Sequence, residues 1–228
     1  MTAIKILVVD DEQSIRGLVS AYLRQEGYEV FEAADGASAL KSVRIIHPDL
    51  IVLDIMLPGM DGLEVLTQIR HESEVYVILL TAKTEELDKI VGLSVGADDY
   101  ITKPFSPREL VARVKAALRR IRAAGRVNAQ ASYEFNRLRM DVDSRKIWLD
   151  GAPLELTTTE FDLLITLAEN RGRVLSREQL LENVWGTNFY GETRVIDVHI
   201  GNIRQKLGED LIATIRGVGY RLDDEVVT

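Results

Sequence analysis

Short apolar runs recur along the first half of the chain, and each ends on a polar residue. Residues 4–9 end in Asp10-Asp11, 50–53 in Asp54, 76–80 in Thr81 and 100–101 near Lys103, while 28–31 add one more strand. Apolar runs that are rich in β-branched residues and do not alternate predict strands covered on both faces, as in a parallel sheet. Helical spacing intervenes. Ile15, Leu18, Val19, Tyr22 and Leu23 follow it, as do Leu63, Leu66 and Ile69, and then Leu110, Val111, Val114, Ala117, Leu118 and Ile121. Strand and helix in alternation over residues 1–122 predict a doubly wound α/β domain with a five-stranded parallel sheet.

The pattern then changes. Residues 123–132 (AAGRVNAQAS) hold little large apolar content and read as a linker, leaving 133–228 as a second domain. Residues 133–149 alternate loosely, as antiparallel strands do. Asp150-Gly151 between 146–149 and 154–156 is a two-residue hairpin signal. Thr157 with Glu160, and Ser176 with Gln179, have the spacing of capping boxes that open helices. A third helical pattern covers 193–207, and 212–222 reads as two short strands around Gly217 and Gly219. Strands, three helices and a terminal hairpin predict an α+β winged helix, a DNA-binding architecture.

Composition narrows the classes. Apolar residues are 46% and charged residues 28%, enough for a core and a solvated surface. The absence of cysteine excludes disulfides and thiolate metal sites. Residues 1–10 lack the apolar core of a signal peptide, and no apolar stretch approaches the ~18 residues of a membrane span. A cytoplasmic protein without membrane association is expected. Residues 1–122 carry 15 basic and 19 acidic side chains and 123–228 carry 13 and 17, so both halves are acidic. Any nucleic-acid binding must therefore rest on a local patch.

The polar strand ends converge. In open α/β sheets, ligands bind beyond the carboxyl ends of the strands, which would gather Asp10, Asp11, Asp54, Thr81 and Lys103 on one rim. Close carboxylates repel and call for a cation, and Mg²⁺ suits oxygen donors that leave room for water and phosphate oxygens. Lys103 adds a second positive charge, completing a clamp of the kind phosphoryl transfer uses. Asp54 is best placed as the nucleophile. Taken singly, Asp10-Asp11 could cap a helix, Asp54 could open the turn before Pro58-Gly59, and Lys103 could be a solvated lysine. Five such residues at consecutive strand ends favour a shared site.

Val8-Val9-Asp10-Asp11-Glu12, Asp54 with Leu57-Pro58-Gly59-Met60-Asp61-Gly62, Thr81-Ala82 and Lys103-Pro104-Phe105 together resemble the receiver domains of two-component response regulators. The second half resembles the effector domain of the OmpR/PhoB subfamily, so the resemblance spans nearly the whole chain. It implies that Asp54 accepts a phosphoryl group from the phosphohistidine of a sensor histidine kinase. It also implies Mg²⁺ held by Asp11, Asp54 and the backbone carbonyl of Met56, with Asp10 acting through water. Lys103, ahead of a cis bond to Pro104, would contact the phosphoryl group, Thr81 would hydrogen-bond it, and Tyr100 would turn inward. Met56 and Lys83 would shape water access to the acyl phosphate.

A homodimer through the fourth helix, fifth strand and fifth helix would use Lys89, Asp98, Asp99, Glu109, Arg113 and Arg120. The plainer reading of that set is a solvated helix surface, whose ion pairs contribute about 0–1 kcal/mol each. Double-stranded DNA and RNA polymerase are the further partners the resemblance implies.

In the 193–207 helix, Ile196, Ile200, Ile203 and Leu207 share an apolar face. The opposite face presents Arg194, Val198, Gly201, Asn202 and Gln205, flanked by Arg204 and Lys206. Arginine can read guanine, asparagine adenine, and valine a thymine methyl. Residues 194–221 hold five basic and three acidic side chains, a locally basic patch. By the resemblance, Arg216 at the wing enters the minor groove, Thr214, Tyr220 and Trp185 touch the DNA backbone, and His199 contacts a phosphate. Trp185 and His199 read equally well as packing residues. Many family members carry arginine where this chain has Gly201 and Asn202. Two other functions compete. A haloacid-dehalogenase-type phosphatase needs a second Asp two residues after the nucleophile, where this chain has Met56. A vestigial receiver conflicts with the intact five-residue set.

Overall fold

A computed structural model describes residues 3–82, 91–123, 132–186 and 193–224, with side chains of the first two segments followed as far as 119. The chain divides into two compact units, Met1–Leu118 and Arg119–Thr228. The first unit runs β1 (Lys5–Val9), α1 (Gln13–Gln25), β2 (Glu29–Ala33), α2 (Gly36–Ile46), β3 (Leu50–Asp54), α3 (Gly62–Arg70) and β4 (Tyr76–Ala82). Helical residues 91–94 (α4), β5 (Asp99–Lys103) and α5 (Pro107–Ala123), which runs past the unit boundary at Leu118, follow. The five strands form one parallel sheet in the order β2-β1-β3-β4-β5. The strand order reverses between β1 and β3, and in open α/β sheets it is beyond the carboxyl ends at such a point that a ligand crevice forms. All of β3, and all of β4 except Ala82, is buried, which is why these runs do not alternate.

Leu110, Val111, Val114, Ala117 and Leu118 of α5 are buried, as their spacing predicts. Leu18 departs from expectation and is 48% exposed. Val19 and Leu23 carry the buried stripe of α1, and Leu18 sits one residue to its side. Ser20 on the same helix is fully buried, and its hydroxyl has no hydrogen-bond partner among the described residues. An unsatisfied buried hydroxyl costs more than the methyl that could replace it. Ser20→Ala is therefore expected to raise the unfolding free energy by about 1 kcal/mol, measured by urea titration.

A buried ion pair ties α3 to the start of β5. Arg70 Nη2 donates to Asp98 Oδ2 at 2.9 Å, and the same oxygen accepts the Val77 backbone N–H at 2.9 Å. The Arg70 guanidinium also donates to the carbonyls of Gly96 (2.8 Å), Ser73 (3.1 Å) and Val75 (2.7 Å).

The second unit opens with a four-stranded antiparallel sheet of β6 (Ser132–Glu134), β7 (Leu138–Asp141), β8 (Lys146–Leu149) and β9 (Ala152–Leu154). The Asp150-Gly151 turn joins β8 to β9. Both residues have positive φ, 50° and 81°, as a type I′ hairpin requires, and β9 starts directly after them at Ala152, not at 154. Then come α6 (Thr158–Glu169), β10 (Leu175–Ser176), α7 (Arg177–Trp185), α8 (Arg194–Leu207), β11 (Ile212–Ile215) and β12 (Gly219–Leu222). The last sheet has the order β10-β12-β11. Both capping boxes form, at Thr157/Glu160 and Ser176/Gln179. Among the described residues no helix is long and apolar enough to cross a membrane.

Candidate functional site

β1 delivers Asp10, β3 delivers Asp54 and β5 delivers Lys103 to the crevice at the sheet's reversal point. Asp10 and Asp54 are buried, and the Lys103 ammonium bridges them, donating to Asp10 Oδ2 at 2.8 Å and Asp54 Oδ2 at 2.9 Å. The other Asp10 oxygen accepts the Glu12 N–H at 2.9 Å. Arg16 pins the loop by donating to the Asp10 and Asp11 carbonyls at 2.7 and 2.9 Å. The Met56 backbone N–H donates to the Asp54 carboxylate, while the Met56 side chain is exposed.

Burial pushes the Asp54 carboxyl above the usual range, and the Asp10 charge adds to the rise. The Lys103 hydrogen bond and charge oppose it. Burial lowers Lys103 in turn, but its bonds to Asp10 and Asp54 hold the ammonium above its ordinary value.

Oxygens of Asp10, Asp11 and Asp54 lie within 4.8 Å of one another. An all-oxygen set of this size, with Asp11 on the solvent side, fits a hard divalent cation that keeps some of its water. Thr81 is buried at the end of β4, with its hydroxyl 3.4 Å from the Ala82 carbonyl. Tyr100 is buried on β5, and the Lys103–Pro104 bond is cis. The crevice therefore brings together Asp10, Asp11, Asp54 and Lys103, with Thr81 one strand away. Lys83 and Lys89 lie outside the described residues, as does the side chain of Arg120.

Of the charges assigned to a dimer face, Asp98, Asp99, Glu109 and Arg113 are engaged within the domain. Arg113 Nη1 donates to both Asp99 oxygens at 3.0 and 3.1 Å, and Arg113 Nη2 donates to Glu109 at 3.0 Å. Asp98 is fully buried against Arg70. Asp98, expected from sequence to pair across a dimer, is instead held inside the domain, because it lies just before β5 and completes the Arg70 network.

The second unit revises the DNA-facing set more deeply. His199 is 1% exposed and packs on Trp185, their ring centroids 5.6 Å apart. Both residues are thus part of the interior, not the outer surface. Asn202 is buried too, although the helical pattern placed it outward. Tyr220 is buried, donates its hydroxyl proton to Asp197 at 2.7 Å and accepts from Arg177 at 3.2 Å. Arg177 also donates to Asp197 at 2.6 Å. Arg204 is half-buried and engaged along the surface of the hairpin, donating to the Ile212 carbonyl at 2.6 Å and to the Thr214 hydroxyl at 2.6 Å. Lys206 pairs with the buried Glu160 at 2.7 Å.

Arg194, Val198, Gly201, Gln205, Thr214 and Arg216 stay wholly or partly exposed, with Arg216-Gly217-Val218 at the tip of the β11–β12 hairpin. Sequence reasoning missed Arg16, Arg177 and Asp197. No local signal marks them, since each acts through a fold-dependent contact.

A receiver-type crevice on a 2-1-3-4-5 parallel sheet, followed by a winged-helix unit, defines a two-domain regulator. The response regulator receiver domain matches residues 6–115, and the C-terminal domain of transcriptional regulatory proteins matches 151–222. The chain is 47% identical over 232 residues to the alkaline phosphatase synthesis transcriptional regulatory protein PhoP of Bacillus subtilis, covering 96% of this chain and 97% of that one. It is 46% identical over 222 residues to the phosphate regulon transcriptional regulatory protein PhoB of Pseudomonas aeruginosa, covering 95% and 96%. The solved structure of response regulator DrrB, a Thermotoga maritima OmpR/PhoB homolog, aligns with a TM-score of 0.53 at 36% identity, covering 97% and 99%. The chain belongs to the OmpR/PhoB subfamily of response regulators and is a transcriptional regulator.

Proposed function

We propose that Asp54 accepts a phosphoryl group from the phosphohistidine of a sensor histidine kinase, and that this promotes dimerisation and sequence-specific binding to double-stranded DNA. The observation that carries this reading is the Lys103 ammonium bridging two buried carboxylates at the sheet's reversal point. An Asp54 oxygen attacks phosphorus, the bond from phosphorus to the histidine nitrogen breaks, and an acyl phosphate forms. Lys103 needs only to exchange its 2.9 Å contact with Asp54 for a phosphoryl oxygen. The carboxylates of Asp11 and Asp54 and the carbonyl of Met56 would hold Mg²⁺, with Asp10 acting through water. When bound, Mg²⁺ neutralises charge on the transferring group.

Thr81 gives up its long contact with the Ala82 carbonyl to donate to another phosphoryl oxygen, and Tyr100 fills the space behind it. The dimer forms through α4, β5 and α5. For Asp99, Glu109 and Arg113 to pair across it, alongside Lys89 and Arg120, they must exchange partners they already hold within the domain. The receiver is assigned to 1–122, a linker to 123–132 and the DNA-binding domain to 133–228. RNA polymerase is the downstream partner, in the cytoplasm.

Light scattering with Mg²⁺, before and after addition of beryllofluoride, tests this. Wild type is expected to pass from monomer to dimer and to bind DNA more tightly, while Asp54→Ala does neither. A wild type whose mass and DNA affinity are unchanged by beryllofluoride would contradict it.

A further inference from the structure

Arg194, Val198, Gly201 and Gln205 stand at i, i+4, i+7 and i+11 on α8, so they form one straight stripe. The two ends are exposed and the two middle residues partly so. A Cβ built on Gly201 meets nothing within 4 Å. No packing inside the protein requires glycine there, although glycine weakens a helix relative to alanine. What a bare backbone does allow is close approach by a ligand.

The charged residues flanking the stripe all have partners within the protein, although the Asp197 and Lys206 side chains stay 40% and 34% exposed. Asp197 holds Arg177 and Tyr220, Arg204 holds Ile212 and Thr214, and Lys206 holds Glu160. His199 and Asn202 are buried. The middle of the stripe is therefore shallow and apolar, and it is bounded on one side by the carboxamide of Gln205.

On the major-groove edge, the apolar feature of a base pair is the thymine methyl. A carboxamide matches the adjacent donor and acceptor of adenine. At ~1.5 Å per residue the stripe spans ~16 Å, about five base steps of ~3.4 Å. Building on the DNA-binding role proposed above, we infer that α8 specifies A·T pairs in the part of the major groove that faces Val198, Gly201 and Gln205. Gln205 reads an adenine, and Val198 with Gly201 receives a thymine methyl. Adenine recognition thus falls to Gln205 and not to Asn202.

The test uses the full-length chain with Mg²⁺ and beryllofluoride. It first enriches a duplex from a randomised pool, then measures competition by duplexes with single-base changes. Gln205→Ala is expected to erase a preference for adenine at one position, a loss of discrimination of roughly 5- to 150-fold, and to leave the other positions and the unfolding curve unchanged. Replacing one thymine by deoxyuridine, which removes only the methyl, is expected to weaken wild-type binding by roughly fourfold. Asn202→Ala is expected to leave every base preference in place.

An enriched duplex whose preferences survive Gln205→Ala, or that tolerates deoxyuridine at every thymine, overturns the assignment while leaving DNA binding intact. A pool from which nothing is enriched overturns the DNA-binding role itself and the assignment with it.

Discussion

Asp98→Ala is expected to lower the unfolding free energy of the receiver domain by about 3–5 kcal/mol, the usual cost of stripping one partner from a buried ion pair. Asp98 is fully buried and the Arg70 side chain only 10% exposed. Without the carboxylate, the guanidinium keeps its carbonyl partners at Gly96, Ser73 and Val75 but loses its countercharge. The Val77 N–H loses its acceptor at the same time. Asp98→Asn retains an acceptor oxygen and is expected to cost less. The Arg44–Glu72 pair is the contrast. Both side chains are about half exposed, and removing Glu72 is expected to change little. Urea titrations of the three variants, followed by circular dichroism, check the ranking. A fully folded Asp98→Ala with wild-type stability would show that the network is ornamental.

Gly62→Ala is expected to abolish phosphoryl acceptance and to destabilise the receiver by roughly 1–3 kcal/mol or more. A Cβ on Gly62 would stand 2.7 Å from the Ile55 Cα and closer still to the Asp54 carbonyl oxygen. Both neighbours are backbone, so no flexible side chain can give way. Gly62 is the first residue of α3, whose N-cap Asp61 accepts the Glu64 N–H at 2.8 Å, and its own N–H donates to the Ile55 carbonyl at 2.8 Å. The end of β3 would have to move, carrying Asp54 away from Lys103. Phosphate incorporation with a small-molecule acyl phosphate, alongside thermal unfolding, measures both effects. A folded Gly62→Ala that accepts phosphate at the wild-type rate would show that this contact does not position Asp54.

Sequence was most informative where local chemistry and period coincide. Strands buried on both faces lose alternation, so their limits were visible as apolar runs, and the polar residues ending them marked the crevice. The Asp150-Gly151 turn and the two capping boxes are defined by neighbours within four residues, and each formed where its residues stand. Pairings between distant residues left no such trace. Arg70 with Asp98 and Arg177 with Asp197 meet only because the fold brings them together.

α8 shows the limit of periodicity. Its isoleucines predict one buried face, but Trp185 covers the side on which His199 lies, and Val195, His199 and Asn202 are buried as well. The angle of a residue on a helix is legible in sequence; which neighbour covers that angle is not. Tyr220 illustrates the same point. Its hydroxyl was free to face DNA on paper, but it serves Asp197 and Arg177 in the fold.

On the proposed function, Asp54 carries the signal. The most direct measurement incubates the full-length chain with Mg²⁺ and a small-molecule acyl phosphate, then locates the added mass by peptide mass spectrometry. One phosphoryl group on the peptide containing Asp54, absent from Asp54→Ala, is the predicted result. A folded chain that gains none, or that carries it on another residue, would contradict the account.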